Sequence, residues 1–325
     1  MTAKSGDTIF REKITPDQVM VLTASLFEIS AKAQRRMTTQ EKSWSVNDGK
    51  KIPELPVPGE LEPYDPPNLP ECAHQKHLAP NTCLQTALFG MVRRGRRKYL
   101  EKKQVVSFQN MTVFFTGGEL DQGDLDVFIH AVHLAAKQAE NNSLNGLVKF
   151  SVRGYLKELG KQPGKSGQDW LLNSIRRLCA CLVEVHFGDS KMVAMRKYCN
   201  IYGGPLIYDF YFDPVKSQFY LRVNSSLGTL FNLGWTPLKW NQRLKLRTGL
   251  SKWLHGLYSS INVYPLKVAT LRTLSRSKCT RLSDFRTKLR KSLNELIEVG
   301  AIDSWGIDDE DKVRITKQQK KELER

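Results

Sequence analysis

The stretch "GKQPGKSG", residues 160–167, decides between two classes of protein. It resembles the phosphate-binding loop of an ATPase, which needs four residues between its first glycine and the Gly-Lys-Ser and follows a buried strand. Here only three residues separate Gly160 from Gly164, and the preceding "VRGYLKEL" has the pattern of a helix. The stretch therefore predicts a turn between two helices, broken by its glycines and Pro163.

The sequence on both sides of this turn predicts a regular order of elements. A long helix "LDQGDLDVFIHAVHLAAKQA" precedes a strand "GLVKFS", a helix "VRGYLKELG", the turn, a helix over 167–182 and a strand "VEVHF". Helix, turn, helix, strand is the order of a winged helix. The apolar stripe of the helix after the turn is Leu171, Ile175, Leu178 and Leu182. Its outward residues are then Asp169, Asn173, Arg176 and Arg177.

A second copy of this order follows the strand pair "LIYDFYF" and "QFYLRV". A single helix is predicted for "NQRLKLRTGLSKWLHGLYSSI", followed by "PLKVATLRTLS", the helix "RLSDFRTKLRKSLNELIEVGAID" and a hairpin "SWGIDDEDKVRIT". The buried face of the last helix is predicted to be Leu282, Phe285, Leu289, Leu293 and Leu296. The fold class is therefore α+β, with two tandem winged-helix domains.

The first 79 residues have a different composition from the rest. An amphipathic helix candidate begins at Thr15 and Pro16, and seven prolines lie within the 22 residues of "KKIPELPVPGELEPYDPPNLPE". Such a segment is typical of an extended linker. We expect a partly disordered N-terminal segment over 1–79, a first domain over 80–223 and a second domain over 224–325 that contains the C-terminal recognition helix.

The distribution of charge points to a polyanionic partner. Residues 1–79 carry 10 basic and 11 acidic side chains, whereas residues 80–325 carry 40 basic and 22 acidic ones. Because aromatic residues are scattered at core-like spacing, duplex DNA is favoured over a membrane surface. No apolar run reaches membrane-spanning length and no signal-peptide pattern is visible, so a cytoplasmic location is expected.

The DNA contacts are predicted at the helix after each turn and at a basic run. Arg and Lys can bond guanine edges, Thr can contact a thymine methyl, and a helix start can hold a phosphate. In the first domain the candidates are Arg93, Arg94, Arg96, Arg97, Lys165, Ser166, Asn173, Arg176 and Arg177. In the second domain they are Arg281, Asp284, Thr287, Lys288, Arg290 and Lys291. The alternative for each is a solvated polar face or a structural turn.

Metal and catalytic chemistry are not expected. Cys72, His74, His77 and Cys83 lie within "ECAHQKHLAPNTC", but their spacing is not that of a zinc knuckle. His130 and His133 lack the acidic partner of an HExxH motif. Asp121 and Asp124 are placed to stabilise a helix start. The sequence predicts a protein that is not an enzyme and uses no cofactor and no metal.

Several separated blocks resemble the TrfA family of plasmid replication initiators. They are "PNTCLQTALFG", "TGGELDQGDLDVFIHAVHLA", "KWLHGLYSS" and "YPLKVATLRTLSRSKCTRLSDFRTKLRKSLNELIEVGAIDSW", and together they run from about residue 80 to residue 315. The resemblance implies two winged-helix domains that bind repeated origin sites called iterons, with recognition helices over 167–182 and 281–299. It also implies opening of an adjacent AT-rich region and loading of the host helicase.

The resemblance implies further partners, namely the host initiator and the sliding clamp, and a balance between monomer and dimer. Clamp binding in the family uses a Gln-Leu-x-Leu-Phe type motif, and the nearest match is "TASLF", residues 23–27. Leu26 and Phe27 are kept, but Thr23 stands where glutamine is expected. A winged-helix transcriptional repressor is the alternative function; it would favour one inverted repeat, whereas an initiator would favour direct repeats.

Overall fold

The structure, a computed structural model, describes residues 68–92, 95, 97–108, 112–139, 147–186, 201–213, 218–261 and 264–317. These residues all lie in one compact unit. Most of the N-terminal segment, including "TASLF", lies outside the described residues. The described chain is a mixed α+β structure, and we call residues 68–238 the first half and residues 240–317 the second half.

The first half combines short and long elements. In chain order its helices are α1 (Asn81–Leu84), α2 (Gln122–Ala139), α3 (Val152–Glu158), α4 (Lys165–Cys179) and α5 (Gly228–Asn232). Its strands are β1 (His77–Pro80), β2 (Phe89–Gly90), β3 (Tyr99–Val105), β4 (Thr112–Gly118), β5 (Leu120–Asp121), β6 (Val148–Ser151), β7 (Leu182–His186), β8 (Ile201–Gly204), β9 (Ile207–Asp213), β10 (Gln218–Val223) and β11 (Trp235–Leu238). Two short 3₁₀ helices cover Glu71–His74 and Ser225–Leu227.

The second half is smaller and more helical. Its helices are α6 (Trp240–Lys245), α7 (Gly249–Ser260), α8 (Val268–Leu274) and α9 (Leu282–Glu298). Its strands are β12 (Leu266–Lys267), β13 (Ser304–Ile307) and β14 (Lys312–Thr316).

One arrangement of elements occurs in both halves. In the first half α2, β6, α3, α4, β9 and β10 follow one another, with β7 and β8 inserted after α4, and the sheet order is β6-β10-β9. In the second half α7, β12, α8, α9, β13 and β14 follow one another, and the sheet order is β12-β14-β13. In each three-stranded sheet the last strand therefore lies between the first two.

Further strands complete the first half. β3, β4, β7 and β8 form a four-stranded antiparallel sheet. β1 pairs with β11, so the segment before α1 is held beside the end of the first half. β3 and β4 pair antiparallel, and residues 109–111 between them lie outside the described part of the chain.

Three predicted details of the helices were wrong. The single helix predicted before residue 261 is two helices, because Leu246 is extended and the Thr248 hydroxyl accepts the Ser251 N–H to begin α7. The helix predicted over 167–182 begins at Lys165 and ends at Cys179. Leu182 therefore belongs to β7, where it is 38% exposed instead of buried.

The buried apolar side chains form two separate clusters. The first runs from Ala73 to Leu238 and the second from Leu246 to Ile315. Leu227, Leu230, Phe231 and Leu238, which the sequence division assigns to the second domain, pack in the first cluster. The two apolar cores are thus distinct, although Trp240 packs against the first cluster and Met91 and Phe108 pack against the second.

Candidate nucleic-acid interface

Helix α9 presents one apolar and one polar face. Phe285, Leu289, Leu293 and Leu296 are each 0% exposed and anchor the helix in the second core. The predicted contact residues of this helix and its N-cap are all exposed: Arg281, Asp284, Thr287, Lys288, Arg290 and Lys291. The helical periodicity therefore correctly predicted which side chains face solvent, while their contact with DNA stays a prediction.

The polar face of α9 retains unneutralised positive charge. Within the described part of the chain, Arg290 and Lys291 form no ion pair. The Lys288 ammonium lies 3.3 Å from the Cys279 thiol. The pKa of Cys279 is lowered, first by its hydrogen bond with the Ser277 side chain and then by Lys288. This face can offer at least two free cations to a nucleic acid.

The β13–β14 turn next to α9 is acidic, but three of its four carboxylates pair with cations. The Asp308 side chain accepts the backbone N–H groups of Glu310 and Lys312 at 3.1 and 2.9 Å, and Arg314 pairs with it at 2.8 Å. The hydrogen bond from the Lys312 N–H is the main cause that lowers the pKa of Asp308. Arg286 joins α9 to this turn through Asp311 at 2.9 Å. The turn should therefore repel a phosphate backbone less strongly than its sequence "DDEDK" implies.

The quoted turn lies between α3 and α4, as predicted. Gly160 has φ +64°, and its N–H bonds Lys157 O while the Lys161 N–H bonds Leu156 O. This is the Schellman pattern that ends a helix. A Cβ on Gly167 would lie 2.5 Å from the Gln162 carbonyl oxygen, so the turn requires glycine there as well.

Helix α4 presents four of its five predicted residues to solvent. Lys165 and Ser166 lie at its first turn, and Asn173 and Arg176 follow on the exposed side. Lys161, which sequence analysis omitted, is also exposed, with its ammonium 4.1 Å from the Trp170 ring centre. The sequence could have indicated Lys161, because it belongs to the same basic turn as Lys165.

Arg177 departs from the expected outward direction. Its side chain is 19% exposed and its guanidinium pairs with the buried Asp124 carboxylate at 2.6 Å. Ser174 donates to the same carboxylate at 2.6 Å. Burial raises the pKa of Asp124, the charge of Asp121 adds to this, and Arg177 opposes it. Arg177 therefore holds α4 against α2.

Arg97 is also engaged inside the fold. Its guanidinium pairs with Asp121 at 2.6 Å and donates to Glu119 O at 3.2 Å. Asp121 and Asp124 accept each other's backbone N–H groups at 3.0 Å, a reciprocal cap at the start of α2. The predicted helix-start role of these two carboxylates is confirmed. Arg93, Arg94 and Arg96 lie outside the described residues.

His77 stacks with His133 and Trp240 instead of joining the nearby cysteines in a metal site. The His77 ring lies 4.0 Å from the Trp240 ring and 4.1 Å from the His133 ring. Its Nε2 lies 3.1 Å from His130 Nδ1. Burial lowers the pKa of His77 to about 3 and that of His130 to about 4, so both are neutral at pH 7. Among the described residues no three His, Cys, Asp or Glu side chains are grouped as metal ligands.

Comparisons with known proteins address the fold. Domains 2 and 3 of RctB, as a selenomethionine crystal structure, match with a TM-score of 0.50 at 15% identity, over 74% of this chain and 99% of that one. The chain shares the fold of those two domains. A crystal structure of the Pi initiator protein in complex with iteron DNA matches at 12% identity over 68% of this chain and 100% of that one, with a TM-score of 0.41.

Two other comparisons gave no match. No protein-family model matches the chain, and no curated protein matches it. None of the described helices is long and apolar enough to cross a bilayer.

Proposed function

We propose that this protein is a plasmid-type replication initiator of the TrfA kind that binds direct repeats in an origin. The observation that carries the proposal is the arrangement of elements that occurs twice, from α2 to β10 and from α7 to β14. In each copy the third helix, α4 or α9, has an exposed polar face. We interpret both repeats as winged-helix domains, with α4 and α9 as recognition helices that enter major grooves. The excess of positive charge after residue 79 and the fold shared with the RctB domains support this.

The proposed mechanism is mechanical and uses no catalysis. The exposed side chains of α4 and α9 contact bases and phosphates, while Lys165 and Ser166 hold a phosphate at the start of α4. Bending of the bound duplex strains the neighbouring AT-rich region, because flexible steps deform at lower cost. Host helicase, host initiator and sliding clamp then join the complex in the cytoplasm, and a monomer–dimer balance sets how much protein binds.

A nuclease footprint on the DNA flanking the protein's own gene tests the proposal, at near-physiological salt so that nonspecific phosphate binding is suppressed. We expect evenly spaced, protected direct repeats beside an AT-rich tract. One protected palindrome over the promoter would support a repressor instead. ATP hydrolysis or nicking of supercoiled DNA by the pure protein would contradict a binding function without catalysis.

A matched pair of variants separates specific contact from total charge. Arg290→Ala with Lys291→Ala removes two cations from the exposed face of α9 and should abolish the footprint. Lys76→Ala with Lys137→Ala removes the same charge at two exposed positions outside α4 and α9 and should leave it unchanged. Equal loss in both variants would mean that protection reflects net charge only.

A further inference from the structure

The boundary between the two halves contains two ionic clusters, each centred on a buried carboxylate. The Asp126 cluster comprises Asp126 and Gln122 of α2, Arg243 of α6 and Lys252 of α7. The Glu119 cluster comprises Glu119 of the first half with Arg276 and Lys278 from the α8–α9 connection. Each cluster joins a carboxylate of the first half to cations of the second.

The Asp126 cluster satisfies a fully buried arginine. Arg243 is 0% exposed, and its Nε lies 2.6 Å from Asp126 Oδ1. Its two terminal nitrogens donate to Gln122 Oε1 at 2.9 Å and to Lys252 O at 3.0 Å. The Lys252 ammonium pairs with the other Asp126 oxygen. Because both carboxylate oxygens and all three guanidinium nitrogens are bonded, the hydrogen-bond directions allow one arrangement of α2 relative to α6 and α7.

In the Glu119 cluster an arginine occupies a position that favours glycine. Arg276 follows α8 with φ +52°, and the N–H groups of Arg276 and Ser277 bond Thr273 O and Arg272 O. This Schellman pattern normally places glycine at the left-handed position, because a side chain there is strained. The sequence of the turn alone gives no reason for arginine.

Contacts across the boundary explain the arginine. Its guanidinium pairs with Glu119 at 2.9 Å and donates to Ala87 O at 3.3 Å, and the Glu119 side chain is only 5% exposed. A Cβ on Gly90 would lie 2.8 Å from Arg276 Cβ, so the first half leaves room for the arginine stem. Lys278 adds a second cation 3.3 Å from Glu119. The turn that leads into α9 is thus bound to the first half.

We propose that Arg276 and Glu119, together with the Asp126 cluster, are positioning residues that fix α9 relative to α4. This inference rests on the proposed function. If α4 and α9 each contact a DNA segment, a fixed distance between the two helices selects DNA in which the two segments have the matching spacing. Apolar surfaces can slide over one another, whereas buried charge pairs hold one register because any displacement leaves a charge unpaired. Spacing is then a specificity determinant in addition to base contacts.

The central variant is Arg276→Gly. Glycine adopts φ +52° without strain, so the turn is retained while the guanidinium is removed. Glu119→Gln removes the partner charge from the other side. Lys102→Gly is the matched control, because Lys102 is also a non-glycine residue at positive φ, +39°, and it lies on exposed β3 without a described contact to the second half.

The first measurement needs no DNA. Spin labels on unnatural amino acids at Gln168 of α4 and Thr287 of α9, both exposed, report the distance between the helices in the full chain. We expect a single narrow distribution for the parent and for Lys102→Gly, and a broadened or shifted one for Arg276→Gly and Glu119→Gln. An unchanged distribution in both cluster variants overturns the proposal. This result stands whether or not the protein binds origin repeats.

The second measurement uses duplexes of the footprinted repeat with one to five base pairs inserted between its two protected segments. We expect the parent and Lys102→Gly to lose about 100-fold in affinity at the worst insertion, an effect comparable to one or two mismatches. Arg276→Gly should lose less than about 10-fold across the series. Equal spacing dependence in parent and Arg276→Gly overturns the specificity role. Absence of any protected repeat instead contradicts the proposed function and leaves the distance result to decide the positioning role.

Discussion

The connections before α4 and before α9 have the same hydrogen-bond pattern but different residues at the left-handed position. The α3–α4 turn uses Gly160, and a Cβ placed there would meet nothing within 4 Å. The α8–α9 turn uses Arg276, whose side chain reaches Glu119 in the other half. The first turn thus follows a local rule, whereas the second accepts backbone strain for a contact made far away in sequence.

The helices that follow these turns also differ in where their cationic side chains point. In α4 the cation Arg177 points inward to Asp124, so part of the positive charge stabilises the fold. In α9 the predicted cations all face solvent. We infer that α4 uses one of its predicted cations for packing and leaves the others exposed, whereas α9 leaves all of its predicted cations exposed.

The buried pair of α4 gives the largest expected effect on stability. Asp124→Ala should lower the free energy of unfolding by about 3–5 kcal/mol, because Arg177, Ser174 and the Asp121 N–H all lose their partner at a fully buried carboxylate. Asp311→Asn, which removes the charge from the partly exposed pair with Arg286 beside α9 and suits the φ of +58° there, should cost about 0–1 kcal/mol. Urea denaturation of both variants measures the difference. Equal losses of stability would mean that the buried pair in the first half contributes no more than the partly exposed pair in the second half.

Buried histidines in both halves predict a loss of stability in acid. Burial lowers the pKa of His77 to about 3, of His130 to about 4 and of His255 to about 3, with Arg243 adding to the shift of His255. Because the unfolded chain binds these protons near pH 6.5 and the folded one does not, stability is full above pH 6.5 and falls towards pH 4. Each histidine should contribute about 1 kcal/mol of loss by pH 5.5.

Denaturation at pH 7.5 and 5.5 measures this loss. His255→Phe should remove the contribution of His255 to the pH dependence of the free energy of unfolding. The contributions of His77 and His130 should remain. A free energy of unfolding that is the same at the two pH values would contradict the assignment of neutral, buried imidazoles.

The exposed Arg290 of α9 should affect DNA binding, whereas the inward-facing Arg177 of α4 should affect stability. Arg290→Ala should cost about 1–3 kcal/mol of discrimination if the side chain contacts a base, or reduce the salt slope by about 1 if it contacts a phosphate. Its free energy of unfolding should be nearly unchanged. Arg177→Ala should do the reverse, and anisotropy titrations at several salt concentrations separate the two. Weakened binding by a stably folded Arg177→Ala would contradict the inward assignment.

The turn glycines give the smallest expected effect. Gly160→Ala should cost about 1 kcal/mol, because alanine is strained at φ +64° although it has space. Gly164→Ser is the control in the same turn, since Gly164 is the N-cap of α4 with an extended φ of −166°, its surroundings are equally open, and serine is favoured at an N-cap. It should change stability by less than about 0.5 kcal/mol. A larger loss of stability in Gly164→Ser would show that the turn is restrained by something other than its left-handed residue.

Local patterns predicted much of the fold. The 3.6-residue period of Leu171, Ile175 and Leu178 and of Phe285, Leu289 and Leu293 correctly assigned the buried faces, because apolar spacing depends only on the neighbouring turns of one helix. The period failed at Leu182, where the chain had already become β7. It also missed the break before α7, which depends on the Thr248 cap within a continuous amphipathic pattern.

The exposed candidates were predictable for the same reason, and the exceptions share one cause. Arg97 and Arg177 belong to basic clusters in the sequence, yet both bond the carboxylates at the start of α2. Those carboxylates lie 24 and 53 residues away along the chain. No local pattern distinguishes a solvent-facing arginine from one that meets a distant acid.

The sequence by itself determined the two helix–turn–helix segments, the cation-rich face of α9 and the glycines of the quoted turn, since each depends on residues within a few positions of one another. Only the tertiary structure decided which arginines stay free, where the chain divides into two cores, and that Arg276 and Arg243 bind the halves together. The physical reason is that a buried charge must find its partner in space, and the position of that partner is set by the packing of the whole chain.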